Sequence, residues 1–142
     1  MVGVCFKHDE SHLSLIRDEY YELLKAFPDI EVYERDVDIE VGSDYNGRSF
    51  TSITNGDDLP EGVTVVIISG QAAEYIQGTI SLKDYVHPEN VIYFLGDDHS
   101  HLTQADIGTI TTHDVVYIPI ATNVWSPQAL SIILYDRIVK NG

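Results

Sequence analysis

VIYFLGDDHS at residues 91–100 and VVYIPIATNVWSPQALSIILYDRIV at residues 115–139 decide the fold of this chain. Val91–Leu95 and Val115–Ile118 are unbroken apolar runs of strand length, the pattern of strands buried on both faces of a parallel sheet. Each run enters a loop, and a closing helix begins at Ser126. Serine is a favoured N-cap and proline a favoured first helical residue, so Ser126-Pro127 reads as a helix start on local chemistry alone. Ala129–Ile138 is nearly apolar over two turns, more than a one-sided surface helix needs. That composition predicts a buried position, with a dimer interface as one way to bury it. Trp125, just before the helix, reads as an interface or core residue, with a lid over a ligand as the alternative.

Upstream, apolar runs alternate with helical periodicity at the spacing of βαβ units. Val2–Phe6 reads as a strand, His12–Phe27 as a helix, and Val32–Val37 and Val63–Ile68 as further strands. The helix carries Leu13, Ile16, Tyr20, Leu23 and Phe27 at three- and four-residue spacing, with Asp9 or Ser11 to cap it and Pro28 to end it. Asp38–Gly62 holds four glycines, two Asn-Gly pairs and six acidic residues against one arginine, which predicts a long exposed connection. A short helix over Ala72–Ile76 and a polar hinge over Ser81–His87 lead to Pro88 and the strand at Val91. The expected architecture is one α/β domain over residues 1–142, a mainly parallel sheet flanked by helices.

Composition limits the partners. The chain has 142 residues, 44% of them hydrophobic, which is enough apolar material for one core. No run approaches the ~20 apolar residues of a membrane span, and MVGVCFKHDE lacks the basic start and apolar stretch of a secretion signal. A soluble, cytoplasmic protein with no membrane contact is expected. Cys5 lies inside a predicted strand and reads as a small core side chain. The formal charge is −15, with 8 Lys and Arg against 23 Asp and Glu. Nucleic acids are held largely through cations that displace phosphate counterions, so the balance disfavours RNA as a partner unless a local basic patch or a second subunit supplies the charge.

In a parallel sheet the loops after the strands gather at one end, where ligands bind. Three such loops are Ser69-Gly70-Gln71, Gly96-Asp97-Asp98 and Pro119–Trp125. A glycine at a strand end lets a ligand approach the backbone, although an ordinary turn needs the same residue. The run Asp97-Asp98-His99-Ser100-His101, with His113-Asp114 folding back, has metal-binding residue types but no third ligand at a diagnostic spacing, and no metal is expected. His8, His12 and His87 read as surface or turn residues. No Ser-His-Asp order, P-loop or G-x-G-x-x-G pattern stands out.

The strand ending in Leu95-Gly96, the strand ending in Ile118-Pro119-Ile120 and the helix opening with Ser126-Pro127-Gln128 together resemble the cofactor half of the SPOUT methyltransferases, in the SpoU-like branch. The second motif of that family has Gly, a variable residue and Glu after its strand, and Gly96-Asp97-Asp98 keeps the glycine with a shorter acid. The third reads Ile-Pro-Met and then Ser-Leu-Asn; Ile118-Pro119-Ile120 and Ser126-Pro127-Gln128 stand in those places. The first has Asn, Gly two residues on and Arg four later; Ser11, Leu13 and Arg17 take those positions, so only the arginine survives. The match covers the C-terminal half well and the N-terminal half loosely.

The resemblance implies a C-terminal trefoil knot over roughly Val91–Val139, dimerisation through the knot region and S-adenosylmethionine as cofactor. The cofactor residues would be Ser69, Gly70, Leu95, Gly96, Asp98, Ile118, Pro119, Ile120 and Ser126. It also implies RNA methylation, on a ribose 2′-hydroxyl of tRNA or rRNA, with Arg17, Ser126 and Gln128 as catalytic candidates. Leu13, Ser14, Tyr20 and Tyr21 are the three- and four-residue neighbours of Arg17, and none is an acid that would pair with it on the helix surface. The altered motifs and negative charge leave a non-catalytic knot protein, with an acidic surface for a basic partner, as the other reading. An open α/β sheet holding a nucleotide at its switch point would also keep the Leu95-Gly96 loop as the ligand site.

Overall fold

Seven strands form one parallel sheet in a computed structural model that describes residues 1–7, 13–35, 44–68, 79–96, 107–110, 113–120 and 124–141. In chain order the elements are β1 (Val2–Lys7), α1 (Leu13–Leu24), β2 (Glu31–Arg35), β3 (Asp44–Tyr45), β4 (Arg48–Ser49) and β5 (Thr51–Ile53). There follow β6 (Thr64–Ile68), β7 (Ile80–Ser81), β8 (Val91–Leu95), β9 (His113–Tyr117) and α2 (Ser126–Asn141). The sheet order is β5-β2-β1-β8-β6-β9-β7, so β8 is inserted between β1 and β6, and β9 between β6 and β7. Each neighbouring pair is parallel.

Both faces of the central strands β1, β6 and β8 are largely buried, which explains why those three show no polar alternation. Val4, Phe6, Val66, Val91, Tyr93 and Leu95 point to the face covered by α1 and α2. Cys5, Tyr33, Val65, Ile67, Ile92 and Phe94 point the other way, against Leu59, Ile107 and Ile110. Cys5 is fully buried, as its strand position implies.

α1 ends at Leu24, three residues before the expected Phe27. The last turn tightens into three-residue hydrogen bonds, from Lys25, Ala26 and Phe27 N–H to Glu22, Leu23 and Leu24 carbonyls. Arg48 then takes the orphan carbonyls, donating to Leu24, Phe27 and Ile30 at 2.8, 2.9 and 2.6 Å, where a cation also meets the negative end of the helix dipole. Arg48 is delivered by the β3–β4 hairpin, whose Asn46-Gly47 turn has φ of 51° and 82° as a two-residue hairpin turn requires.

Three expectations are corrected here. The stretch from Asp38 to Gly62 is more than an exposed connection: within its described residues, β5 pairs with β2 as an edge strand, and Phe50, Ile53 and Leu59 are buried. Asn55-Gly56, read as a turn pair in that exposed connection, opens a turn in which Gly56 is buried. Asn55 caps a 3₁₀ turn at Gly56–Asp58, and Gly56 lacks a side chain because a Cβ would meet the Ile110 side chain and sit 2.7 Å from the Ile107 carbonyl. The polar hinge over Ser81–His87 instead carries the end of edge strand β7 and the buried Leu82, Tyr85 and His87. The expected helix at Ala72–Ile76 and the caps Asp9 and Ser11 lie outside the described residues. No helix among the described residues is long and apolar enough to cross a membrane.

Candidate functional site

The strand register fixes where the ends of the strands meet. Leu95 lies opposite Phe6 of β1 and Ile68 of β6, and Ile68 opposite Val116 of β9. Gly96 and Ile118 therefore leave the same end of the sheet, two strands apart. After β9, Pro119 sits at the centre of a tight turn closed by Ile120 N–H donating to Ile118 O at 2.8 Å, a geometry its fixed φ favours. Leu95 and Ile118 are buried, whereas Pro119 and Ile120 face outward.

α2 begins at this same end. Ser126 Oγ donates to the Gly96 carbonyl at 3.1 Å, which fastens the helix start to the β8 exit. The N-cap position belongs to Trp125 rather than Ser126, because Ala129 N–H donates to Trp125 O at 2.9 Å. Gln128 caps in turn, its side-chain oxygen accepting from Trp125 N–H at 2.9 Å. Leu95, Gly96, Ile118, Pro119, Ile120, Ser126 and Gln128 thus lie toward one end of the sheet. Ser69, Gly70, Asp98 and the histidine run at 99–101 lie outside the described residues. Among the described residues no group of three His, Cys, Asp or Glu side chains is placed to hold a metal.

α2 packs Pro127, Ala129, Leu130, Ile133 and Leu134 onto the sheet. Its other side is apolar yet exposed: Trp125, Tyr135, Ile138 and Val139 are 48%, 68%, 52% and 63% accessible. The excess hydrophobicity read from the sequence is therefore a surface stripe along the helix.

Arg17 differs most from expectation. It is 4% exposed, on the face of α1 that also carries Tyr20, Tyr21 and Leu24. A guanidinium in that stripe requires a buried partner. Glu34, the penultimate residue of β2, supplies it: Arg17 Nε and Nη2 donate to Oε1 and Oε2 at 2.9 and 2.7 Å, a bidentate pair with side-chain exposures of 5% and 0%. The Tyr45 ring covers the guanidinium at 3.9 Å and Phe50 lies at 5.3 Å. Among the described residues Nη1 has no hydrogen-bond acceptor. The Tyr21 hydroxyl is close enough to feel both charges without good hydrogen-bonding geometry to either. Burial first, then Glu34, push its pKa far up. Next along β2, buried Arg35 donates to the Leu95 carbonyl and stacks on Phe94 at 4.2 Å, linking the ends of β2 and β8 across β1.

A second polar cluster lies toward the opposite end of α2. His87, 5% exposed, joins Tyr93 OH through Nδ1 at 2.7 Å and Asp136 Oδ2 through Nε2 at 2.6 Å. This corrects its reading as a surface residue: both ring nitrogens have partners inside the protein. Burial lowers its pKa and outweighs Asp136. Burial pushes Asp136 up, but hydrogen bonds from His87 and Lys140 prevail and hold it below 3.8.

The cations are largely committed to partners. Arg17 and Arg35 are buried, Arg48, Arg137 and Lys140 bond main-chain carbonyls, and Lys25 pairs with Glu22, which accounts for six of the eight. Sequence reading missed Glu34, Tyr21 and Tyr45. A carboxylate inside the strand run V-Y-E-R was the available signal.

No family model and no curated protein matches the chain. Solved structures do match its fold. One is described as giving structural insights into the 2-OH methylation of C/U34 on tRNA, with a TM-score of 0.67 at 14% identity over 99% of this chain and 91% of the other. The A. aeolicus TrmH/SpoU tRNA modifying enzyme gives 0.68 at 9% identity over 99% and 74%. A probable methylase family protein from Haemophilus influenzae Rd KW20 gives 0.67 at 12% over 99% and 67%. The chain shares the mainly parallel α/β fold of these structures, as the resemblance implied.

Proposed function

We propose that this chain binds S-adenosylmethionine where β8, β9 and α2 meet and methylates RNA, on a ribose 2′-hydroxyl of tRNA or rRNA, in the cytoplasm. The observation that carries the reading is the Ser126–Gly96 hydrogen bond, which draws the start of α2 to the β8 exit beside the Ile118–Ile120 turn. In its described part this end of the sheet offers the Gly96 backbone and the exposed Ile120 over buried Leu95 and Ile118, and the Arg35 guanidinium beside it is buried and bonded to the Leu95 carbonyl. That chemistry fits a flat, neutral adenosyl group, which backbone groups bind without ion pairs. Ser69, Gly70 and Asp98 complete the proposed set.

When bound, the cofactor supplies an activated methyl group. The chain's part is to place the acceptor oxygen and to stabilise the charge that develops on it as its proton leaves. Arg17 takes the second role through Nη1, with Glu34 holding the other edge of the guanidinium. Ser126 and Gln128 fix the helix start that shapes the site. The same reading includes the trefoil knot over Val91–Val139 and a homodimer formed through the exposed stripe of α2.

One observation favours the second reading, a non-catalytic scaffold: Arg17 is sealed between Glu34 and Tyr45. Calorimetry with S-adenosylmethionine and S-adenosylhomocysteine, followed in parallel by fluorescence of Trp125, the only tryptophan, tests the cofactor claim. Micromolar binding that weakens in Gly96→Trp and in Ile120→Asp supports the enzyme, and radiolabelled methyl transfer to bulk tRNA and rRNA then follows. No binding of either compound refutes it in favour of the scaffold.

A further inference from the structure

Between α1 and the β3–β4 hairpin lies a cleft of about 610 Å³, lined by Asp18, Tyr21, Glu22 and Lys25 on one side and Tyr45, Asn46, Gly47 and Arg48 on the other. Its size falls in the usual range for small-ligand sites, ~300–1,000 Å³. No motif points to it. Tyr21 is 3% exposed and lines the cleft, with its hydroxyl turned toward the Arg17–Glu34 pair.

The lining selects the ligand. Two tyrosine rings, 4.8 Å apart and tilted by 50°, form an aromatic wall. The cations in the lining are engaged, Arg48 with three carbonyls and Lys25 with Glu22 at 2.8 Å. The two carboxylates would repel a phosphate. Asp18 accepts from Tyr45 OH through one oxygen only; its other oxygen and the Asn46 side chain make no further hydrogen bond among the described residues. Aromatic walls with open acceptors suit a planar ring bearing an amino group.

We infer that this cleft holds an unpaired, amino-bearing nucleobase of the RNA, cytosine or adenine. The inference rests on the RNA reading above and gives it a substrate class. Sequence-specific recognition of single-stranded RNA works by splaying a base out, stacking it on aromatic rings and reading its polar edge, and a carboxylate accepts from the cytosine amino group. Such readout needs no cationic surface, which suits this chain. Tyr45 is shared: one part of its ring lines the cleft and its face covers Arg17, so an occupied cleft lies next to the arginine proposed to act on the ribose.

The test uses nucleosides, which carry no phosphate. Protein labelled with ¹³C-tyrosine is titrated by NMR with cytidine, adenosine and uridine at millimolar concentration, with and without S-adenosylhomocysteine, and Tyr45→Phe assigns the Tyr45 signal. Cytidine and adenosine should shift Tyr21 and Tyr45 and bind about fivefold more tightly than uridine, the factor one extra hydrogen bond provides. In Asp18→Asn, an exposed substitution that turns one acceptor into a donor, that preference should fall to about one. Equal binding of all three nucleosides, or no shift at either tyrosine, overturns the inference. Binding of S-adenosylhomocysteine read at Trp125 is independent: if it binds while the tyrosines stay silent, the cleft is wrong and the cofactor reading stands; if it does not bind, the cofactor reading is what fails.

Discussion

Removing one member of the Arg17–Glu34 pair should be among the most damaging single changes the chain can suffer, while removing both should be mild. The pair is bidentate and almost wholly desolvated, with side-chain exposures of 5% and 0%, so solvent screening is slight. Breaking a buried pair from one side costs about 3–5 kcal/mol, because the survivor is left buried and uncompensated. Glu34→Leu is the worse case, since a guanidinium cannot discharge itself, whereas a lone carboxylate can bind a proton. Arg17→Met keeps part of the apolar stem against Tyr45 and Phe50 but gives up the cation–π contact at 3.9 Å, itself about 0.5–2 kcal/mol. The double variant Arg17→Met/Glu34→Leu leaves no buried charge, and its cost should fall to about 1–2 kcal/mol, since apolar replacement of a buried pair is often near neutral.

Urea and thermal denaturation followed by circular dichroism measure all four corners of the cycle. Against a total stability of about 5–15 kcal/mol, the single variants should melt ~10–15 °C lower and the double variant should recover most of that loss. Two single variants each within about 1 kcal/mol of wild type, or a double variant as unstable as their sum, would refute the reasoning. The double variant also separates the functional readings. It folds without the arginine, so methyl transfer that survives in it makes Arg17 structural.

Three further outcomes are expected. His87 is held neutral by burial, with its pKa below the ordinary 6.5. The unfolded chain then takes up the proton first, so the stability His87 contributes is complete above pH 6.5 and declines as pH falls toward its folded value. Urea midpoints at pH 7.5, 6.5 and 5.5 should fall by up to about 1.4 kcal/mol per unit below 6.5, and His87→Gln should flatten that slope. Gly56→Ala forces a Cβ to 2.7 Å from the Ile107 carbonyl and into the Ile110 side chain, and should lower stability by about 1–3 kcal/mol in the same assay; an unchanged midpoint would show that the 107–110 segment yields. Replacing Tyr135 and Ile138 by glutamate on the exposed stripe should convert a sedimenting dimer into a monomer without loss of helix signal, and a wild type that sediments as a monomer removes the dimer claim.

What the sequence made legible follows a physical pattern. Val91–Leu95 was readable to the residue because a five-residue apolar run between Asn90 and Gly96 has one reading in an α/β chain, and the helix start at Ser126 was marked by proline in its first turn. β5 and β7, of three and two residues, are too short to show any period, and their pairing with β2 and β9 is a property of the assembled sheet. The family resemblance assigned Gly96 and Ser126 to one site, whereas nothing in it pointed to Arg17–Glu34. Its members are 17 positions apart on different elements, and the pairing depends on which face of α1 turns inward.

The same distinction governs the charge. Read as a count, −15 says that phosphate binding should be poor. Read in the fold, it says more, because two of the eight cations are buried and three others close helix ends or bond loop carbonyls, leaving few cations free to meet a phosphate. A chain built in that way gains little from attracting an RNA backbone. Under the proposed RNA reading, selectivity comes from groups that read a base by shape and hydrogen bonding, and the described residues bring Tyr21, Tyr45 and Asp18 together beside the covered arginine.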